Sequence, residues 1–183
     1  MSVAITRGAY PRPAIRRAHD GEVPAVTVPP EEPAMPQIGD PAPDFTLQET
    51  FDGFVSLSDY HGRQKVLLFF HPFSYTDICE GEVCELRDDA RFARDDLEIV
   101  SVSCDAWLIR QAWKDHLGAP GRFVSDFWPH GEVSRAYGVF DEQWGTCMRG
   151  TFLIDEDGIV RERVVNMGIG DRRDQTGYLA SLA

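Results

Sequence analysis

The run Val66-Leu-Leu-Phe-Phe70 places five apolar residues in succession. Side chains of a strand alternate between its two faces, so a run without polar interruption leaves neither face for water. Its length is that of a strand rather than a helix, and it needs another layer above and below it. Lys65 to Phe70 therefore reads as a central strand, and Leu97 to Ser103 (LEIVSVS) as a second of the same kind. Between them, Asp77 to about Arg94 mixes polar and apolar residues as a helix does. Ala106 to Leu117 is apolar at 106, 108, 109, 112, 113 and 117, which is helical spacing.

Shorter elements flank this unit. Phe45-Thr-Leu47 and Phe54-Val-Ser-Leu57 alternate and are expected to pair as a hairpin across QETFDG. Glu132 to Tyr137 reads as a short helix. Thr151 to Ile154 and Ile159 to Val165 flank DEDG, a strong hairpin turn, and Arg172 to Leu182 as a weak closing helix. Strands alternate with helices first, and a hairpin follows. The predicted fold class is α/β: a central mixed sheet with a parallel β-α-β part and an antiparallel edge, flanked by helices, with an added N-terminal hairpin.

Residues 1–36 contrast with this pattern. Seven of the chain's 12 prolines lie there, with Arg7, Arg12, Arg16 and Arg17 early and Glu31 and Glu32 late. No strand or helix period survives, so 1–36 is expected to be a disordered, Pro-rich tail and 37–183 the single folded domain. The formal net charge is −12 and the pI near 4.7, which repels phosphate backbones and anionic lipid; nucleic acid and membrane surfaces are not expected partners. No apolar run approaches the roughly 20 residues of a membrane span. The start lacks the apolar core of a signal peptide, so the expected location is cytoplasmic.

Four cysteines are too few for a disulfide scaffold and point to buried, metal-binding or reactive thiols. Cys79 stands out. Thr76 and Asp77 are both good N-caps, and Asp77-Ile-Cys-Glu80 has the form of a capping box, so Cys79 falls in the first turn of a helix. Unpaired amides and the positive dipole end gather there, and both favour a thiolate. Asp77, Glu80 and Glu82 oppose this, so the site needs a cation; Arg149, just before Thr151-Phe-Leu-Ile154, is the candidate.

Cys84 lies five residues further on. That spacing is about 7.5 Å of rise and about 500° of rotation, which turns the two side chains roughly 140° apart. A disulfide needs Cα atoms about 4.4–6.8 Å apart. Cys84 is therefore either an ordinary core residue or a group that acts only after the first turns unwind. A zinc site would need two more ligands at metal spacing; His61 and His71 are present but belong to no metal motif, and no metal is expected.

These residues resemble a known family. Pro72-Phe-Ser-Tyr-Thr76-Asp-Ile-Cys79 has the form P-x-x-x-T-x-x-C, similar to the peroxidatic motif of the peroxiredoxins. IGDPAPDFTLQ (38–48) resembles the family's opening strand. SDFWPHGEVSRAYGVF (125–140) and RGTFLIDEDGIVR (149–161) look like its AhpE-like, mostly one-cysteine branch. The resemblance covers about 37–183. It implies a thioredoxin-like fold and reduction of hydroperoxides without a cofactor. By motif it implies that Cys79 is the attacking cysteine, that Thr76 holds peroxide and thiolate, that Pro72 shields the sulfur, that Arg149 supplies the cation and that Glu82 orients an arginine. It also suggests a homodimer. Cys84 departs from the one-cysteine branch and has the C-x-x-x-x-C spacing used for resolution in the PrxQ-like branch. If Cys84 resolves, the implied reductant is thioredoxin-like; if not, it is a low-molecular-weight thiol with a glutaredoxin-like partner.

Two other readings use the same residues. A peroxide sensor or redox-relay protein would pass the oxidation of Cys79 to a partner. A thioredoxin-like disulfide reductase would need a C-x-x-C pair, which is missing. Cys104 reads as a bystander at a strand end, and Cys147 as a second, weaker resolving candidate. Trp128-Pro129-His130 reads as packing or a subunit contact. Asp88-Asp89 with Asp95-Asp96 reads as a solvated helix face.

Overall fold

The computed structural model describes residues 34–166 and 168–175. The disorder expected of 1–36 concerns residues almost all outside that range. The expected closing helix is also mostly outside it, and its described part, 172–175, is not helical.

In chain order, β1 (Thr46–Gln48) and β2 (Phe54–Ser56) are followed by a 3-10 turn (Leu57–Tyr60), β3 (Lys65–Phe70), α1 (Asp77–Asp88), β4 (Leu97–Ser103), α2 (Trp107–Leu117), β5 (Arg122–Ser125) and α3 (Glu132–Ala136). Then come β6 (Phe140–Asp141), β7 (Thr146–Cys147), β8 (Arg149–Ile154) and β9 (Val160–Asn166). Seven strands form one sheet in the order β2-β1-β5-β4-β3-β8-β9, and β6 and β7 form a separate small ribbon. The three central neighbours β5, β4 and β3 run parallel. The β1–β2 hairpin adds to one side through Gln48 opposite Ser125, and β8 and β9 complete the other side, all antiparallel. The mixed sheet and both hairpins match the sequence reading, except that the antiparallel part lies on both flanks.

The continuous apolar runs divide by parity. Val66, Leu68 and Phe70 of β3, Val100 and Val102 of β4 and Phe152 and Ile154 of β8 join one core with the N-terminal hairpin, Tyr137 and Val139. Leu67, Phe69, Ile99 and Leu153 join a second core, under Val83 and Leu86 of α1 and Trp113 and Leu117 of α2. Each strand thus fills both layers. The helices that carry chemistry lie over the second layer.

Two boundaries differ from the sequence reading. α1 stops at Asp88, because consecutive aspartates oppose the negative dipole end. Asp89 is extended, and its carboxylate accepts from the Arg91 amide and side chain. Asp95 and Asp96 therefore lie outside the helix, not on its face. β5 and the β6–β7 ribbon are additional; two- and four-residue strands carry too little period to be seen. α2 ends as expected at Leu117, with Gly118 at φ 58° in the left-handed C-cap. Among the described residues no helix is long and apolar enough to cross a membrane.

Candidate active site

The parity that builds the second core also builds a site. Leu153, Thr151 and Arg149 alternate onto the helix-bearing face of β8, as Phe69 does beside them on β3, with His71 just past the end of that strand. On α1, the buried positions Cys79, Glu82, Val83 and Leu86 follow the i, i+3, i+4, i+7 stripe. Docking that stripe on the sheet brings Cys79 and Glu82 against Arg149, 70 residues from the cysteine in sequence.

Arg149 Nη1 donates to Cys79 Sγ (3.2 Å) and to Glu82 Oε2 (2.8 Å), while its Nε and Nη2 both reach the Ile169 carbonyl (3.3 and 3.0 Å). The guanidinium is fixed on both sides, with one edge on the sulfur. Cys79 and Glu82 have no exposed surface and Arg149 has 2%. A second guanidinium, from Arg173, also closes on Glu82: its backbone amide and Nε donate to Oε1 (2.9 and 3.2 Å) and its Nη2 to Oε2 (3.1 Å). Arg149, Arg173 and Glu82 sum to +1, so the buried group against the Cys79 sulfur carries a net positive charge. Inside a protein that charge weighs heavily, because uncompensated charge is costly there.

The helix start adds to it. Thr76 is the N-cap, with extended backbone, and the Glu80 amide makes the first intrahelical bond, to the Thr76 carbonyl at 2.9 Å. The amides of Asp77, Ile78 and Cys79 precede the ladder and point their positive ends at the turn that holds the sulfur. The Asp77–Glu80 capping box does not form. Asp77 is already helical, which leaves the cap to Thr76, and the Thr76 hydroxyl donates back to the Phe73 carbonyl (3.1 Å). Thr76 is exposed at the mouth of the site. Pro72 is buried in the β3–α1 loop, its carbonyl accepting from Thr146 Oγ1 at 2.6 Å. Tyr75 has φ 59°, a left-handed conformation unusual for a bulky residue and a sign of strain just before the cap.

Cys84 falls off the buried stripe. It is half-buried, packs against the edge of the second core and is separated from Cys79 by intact helix.

The chain matches the family model described as AhpC/TSA family over residues 38–163. It is 41% identical over 150 residues to alkyl hydroperoxide reductase E of Mycobacterium tuberculosis, an alignment covering 81% of this chain and 97% of that protein. This chain is a peroxiredoxin of the AhpC/TSA family. A putative peroxiredoxin of Synechocystis is 35% identical over 152 residues, 76% of this chain and 74% of that one. Among solved structures, AhpC of Enterococcus faecalis superposes with a TM-score of 0.70 at 26% identity, covering 81% and 91% of the two chains. The reduced 2-Cys peroxiredoxin of Plasmodium vivax gives 0.67 at 28% identity over 79% of each. The fold is thioredoxin-like, and as a peroxiredoxin the protein is an enzyme, a thiol-dependent peroxidase.

The remaining cysteines of this peroxiredoxin, Cys104 and Cys147, are free and buried. Cys147 is fully buried, and its thiol donates to the His71 carbonyl at 2.9 Å. Burial, followed by the neighbouring Cys104 thiol, pushes it well above its ordinary range, so it is a poor nucleophile. Cys104 is buried just past the end of β4. Trp128 is 81% exposed, while His130 Nε2 meets the Gly145 carbonyl at 2.7 Å. Sequence reasoning missed Arg173, one of several arginines in a segment without period. The signal that could have found it is the need of a buried Glu82 for more than one donor.

Proposed function

We propose that this peroxiredoxin reduces hydrogen peroxide and organic hydroperoxides through Cys79, with Arg149 and the α1 start as its electrostatic frame. The observation that carries the reading is the 3.2 Å bond from Arg149 to the Cys79 sulfur, made by a guanidinium already fixed on Glu82. The thiolate attacks one peroxide oxygen and the O–O bond breaks. Arg149, the helix-start amides and the Thr76 hydroxyl, which turns from the Phe73 carbonyl to do so, stabilise the charge passing to the leaving oxygen. That oxygen takes a proton and departs as water or alcohol, and Cys79 is left as a sulfenic acid. Buried Pro72 keeps bulk water from the sulfur.

The sulfenic acid is then resolved by a thiol. In our reading Cys84 supplies it: its sulfur displaces water from Cys79 and forms an intrachain disulfide, which requires the first turns of α1 to unwind. A thioredoxin-like protein would then reduce the disulfide. If Cys84 is passive, a low-molecular-weight thiol with a glutaredoxin-like partner takes its place. Such a cycle needs a reducing thiol pool, which favours the cytoplasm. A homodimer is part of the proposal, with the exposed Phe127 and Trp128 as the apolar surface it would cover.

Intact mass after one equivalent of peroxide, without added thiol, tests this in wild type and Cys84→Ser. Loss of two hydrogens in wild type with gain of one oxygen in the variant is expected. Gain of oxygen in both would remove Cys84 from the cycle. No rapid change in either would overturn the peroxidase reading of Cys79.

A further inference from the structure

A third buried cation lies outside the Arg149–Glu82–Arg173 group. Arg110 of α2 has no exposed surface and packs against the rings of Trp113 and Phe123, 5.7 and 5.0 Å from its guanidinium carbon. Burying a charge in an aromatic layer is costly unless every donor is used. All five N–H groups find acceptors: Nε on the Val124 carbonyl (3.1 Å), Nη1 on His71 Nε2 (2.6 Å) and Ser74 Oγ (3.2 Å), and Nη2 on the carbonyl and hydroxyl of Ser101 (2.8 and 2.7 Å). None of these is a carboxylate. Asp105 stands one residue removed, accepting from the Ser74 amide (2.8 Å) and the Ser103 hydroxyl (2.9 Å).

Two of the five acceptors belong to the loop that carries the active site. His71 opens it, directly before Pro72, and Ser74 lies beyond Phe73, directly before the strained Tyr75. Because Nη1 donates to Nε2, the His71 proton resides on Nδ1 and the ring is a neutral acceptor. Burial, then the positive charges of Arg110, Arg173 and Arg149, hold His71 well below its ordinary range, so the acceptor persists. The guanidinium itself, brought down to about 10 mainly by burial, stays charged at neutral pH, with the thiols of Cys147, Cys79 and Cys104 within its field.

We propose that Arg110 is a positioning residue of the peroxidase site, holding the Pro72–Thr76 loop through His71 and Ser74. The inference rests on Cys79 being the attacking group. Arg110 touches neither substrate nor sulfur. It acts by fixing where Thr76 and the helix-start amides stand, and by adding a positive charge that favours the thiolate.

The test compares wild type, Cys79→Ser, Arg110→Lys and Arg110→Met in the full chain. It reads the stopped-flow rate with hydrogen peroxide and the fraction of Cys79 alkylated by a short iodoacetamide pulse at neutral pH, located by peptide mass. Arg110→Met is expected to react about 10- to 100-fold more slowly, the cost of a misplaced reacting group, and to show less alkylation. Arg110→Lys keeps the charge but cannot hold His71, Ser74 and Ser101 together, so it restores alkylation more than rate. A folded Arg110→Met with rate and alkylation within twofold of wild type would overturn the proposal. If that variant does not fold, His71→Phe and Ser74→Ala cut the two anchors and leave the guanidinium; wild-type rates in both would overturn it equally. A wild type no faster than Cys79→Ser would instead sink the reading on which the proposal rests.

Discussion

Arg149 is held by Glu82 and the Ile169 carbonyl, so one edge of its guanidinium is free to serve the sulfur. Arg149→Ala is expected to slow sulfenic acid formation by about 10²–10³-fold, the usual cost of losing a fixed donor at a site of developing charge. Arg173 stays on Glu82 in that variant, so thermal unfolding should move far less than rate; stopped-flow and calorimetry on the same sample separate the two. His71 leads to a different prediction. Its fold-state proton affinity is depressed by burial, so below about pH 6.5 the unfolded chain binds a proton that the folded chain refuses. The associated stability is fully present above the ordinary histidine range and is lost as pH falls through it, at up to about 1.4 kcal/mol per pH unit. His71→Phe should flatten that part of a urea-unfolding pH profile even though it is less stable at neutral pH. An unchanged slope would mean the imidazole takes up its proton inside the fold.

α1 carries both the nucleophile and its proposed resolving partner, with Gly81 between them. A Cβ at Gly81 would meet only the Arg172 side chain, at 3.9 Å, an ordinary contact. Gly81→Ala should therefore stabilise the helix by about 1 kcal/mol. It should leave the first oxidation of Cys79 unchanged and slow the Cys79–Cys84 disulfide, because that step breaks the helix; time-resolved intact mass distinguishes the two. Equal disulfide rates would show that α1 need not open there. The elements themselves were largely legible in the sequence. β3 and β4 announced themselves because burial on both faces removes every polar residue, and the 45–57 and 151–165 hairpins because alternation and a turn coincide. β5 was not visible, since four residues after Pro120-Gly121 carry no readable period. The end of α1 was missed because Asp88 and Asp89 satisfy a helical pattern while opposing its dipole. In the site, Cys79, Glu82 and Arg149 could be named from motif and from the need for a cation. Arg110 and Arg173 could not, because what they contact is decided by packing between distant segments.

At the scale of the whole molecule, Arg173 ties the chain's last described stretch to the centre of the sheet. Besides Glu82 it reaches the Phe70 carbonyl (2.6 Å), the Gly150 carbonyl (2.9 Å) and Thr151 Oγ1 (2.8 Å), with its guanidinium carbon 3.7 Å from the Phe69 ring centre. Its neighbour Arg172 pairs with Glu85, both about half exposed. Arg173→Gln should cost about 3 kcal/mol in urea unfolding, as for a broken buried pair, whereas Arg172→Gln should cost less than about 1 kcal/mol. Similar costs for the two would mean that Glu82 is held well enough by Arg149 alone.

The order of these residues along the chain has a consequence for synthesis. Translation delivers Cys79 first, Arg149 seventy positions later and Arg173 after that, and β8 can complete the sheet only once it has been made. Until then the thiol has no guanidinium beside it and no closed helix face around it. A nascent chain is thus spared the overoxidation that a fully armed cysteine would risk, and the enzyme gains its reactivity only once β8 has joined the sheet and Arg173 has closed on Glu82.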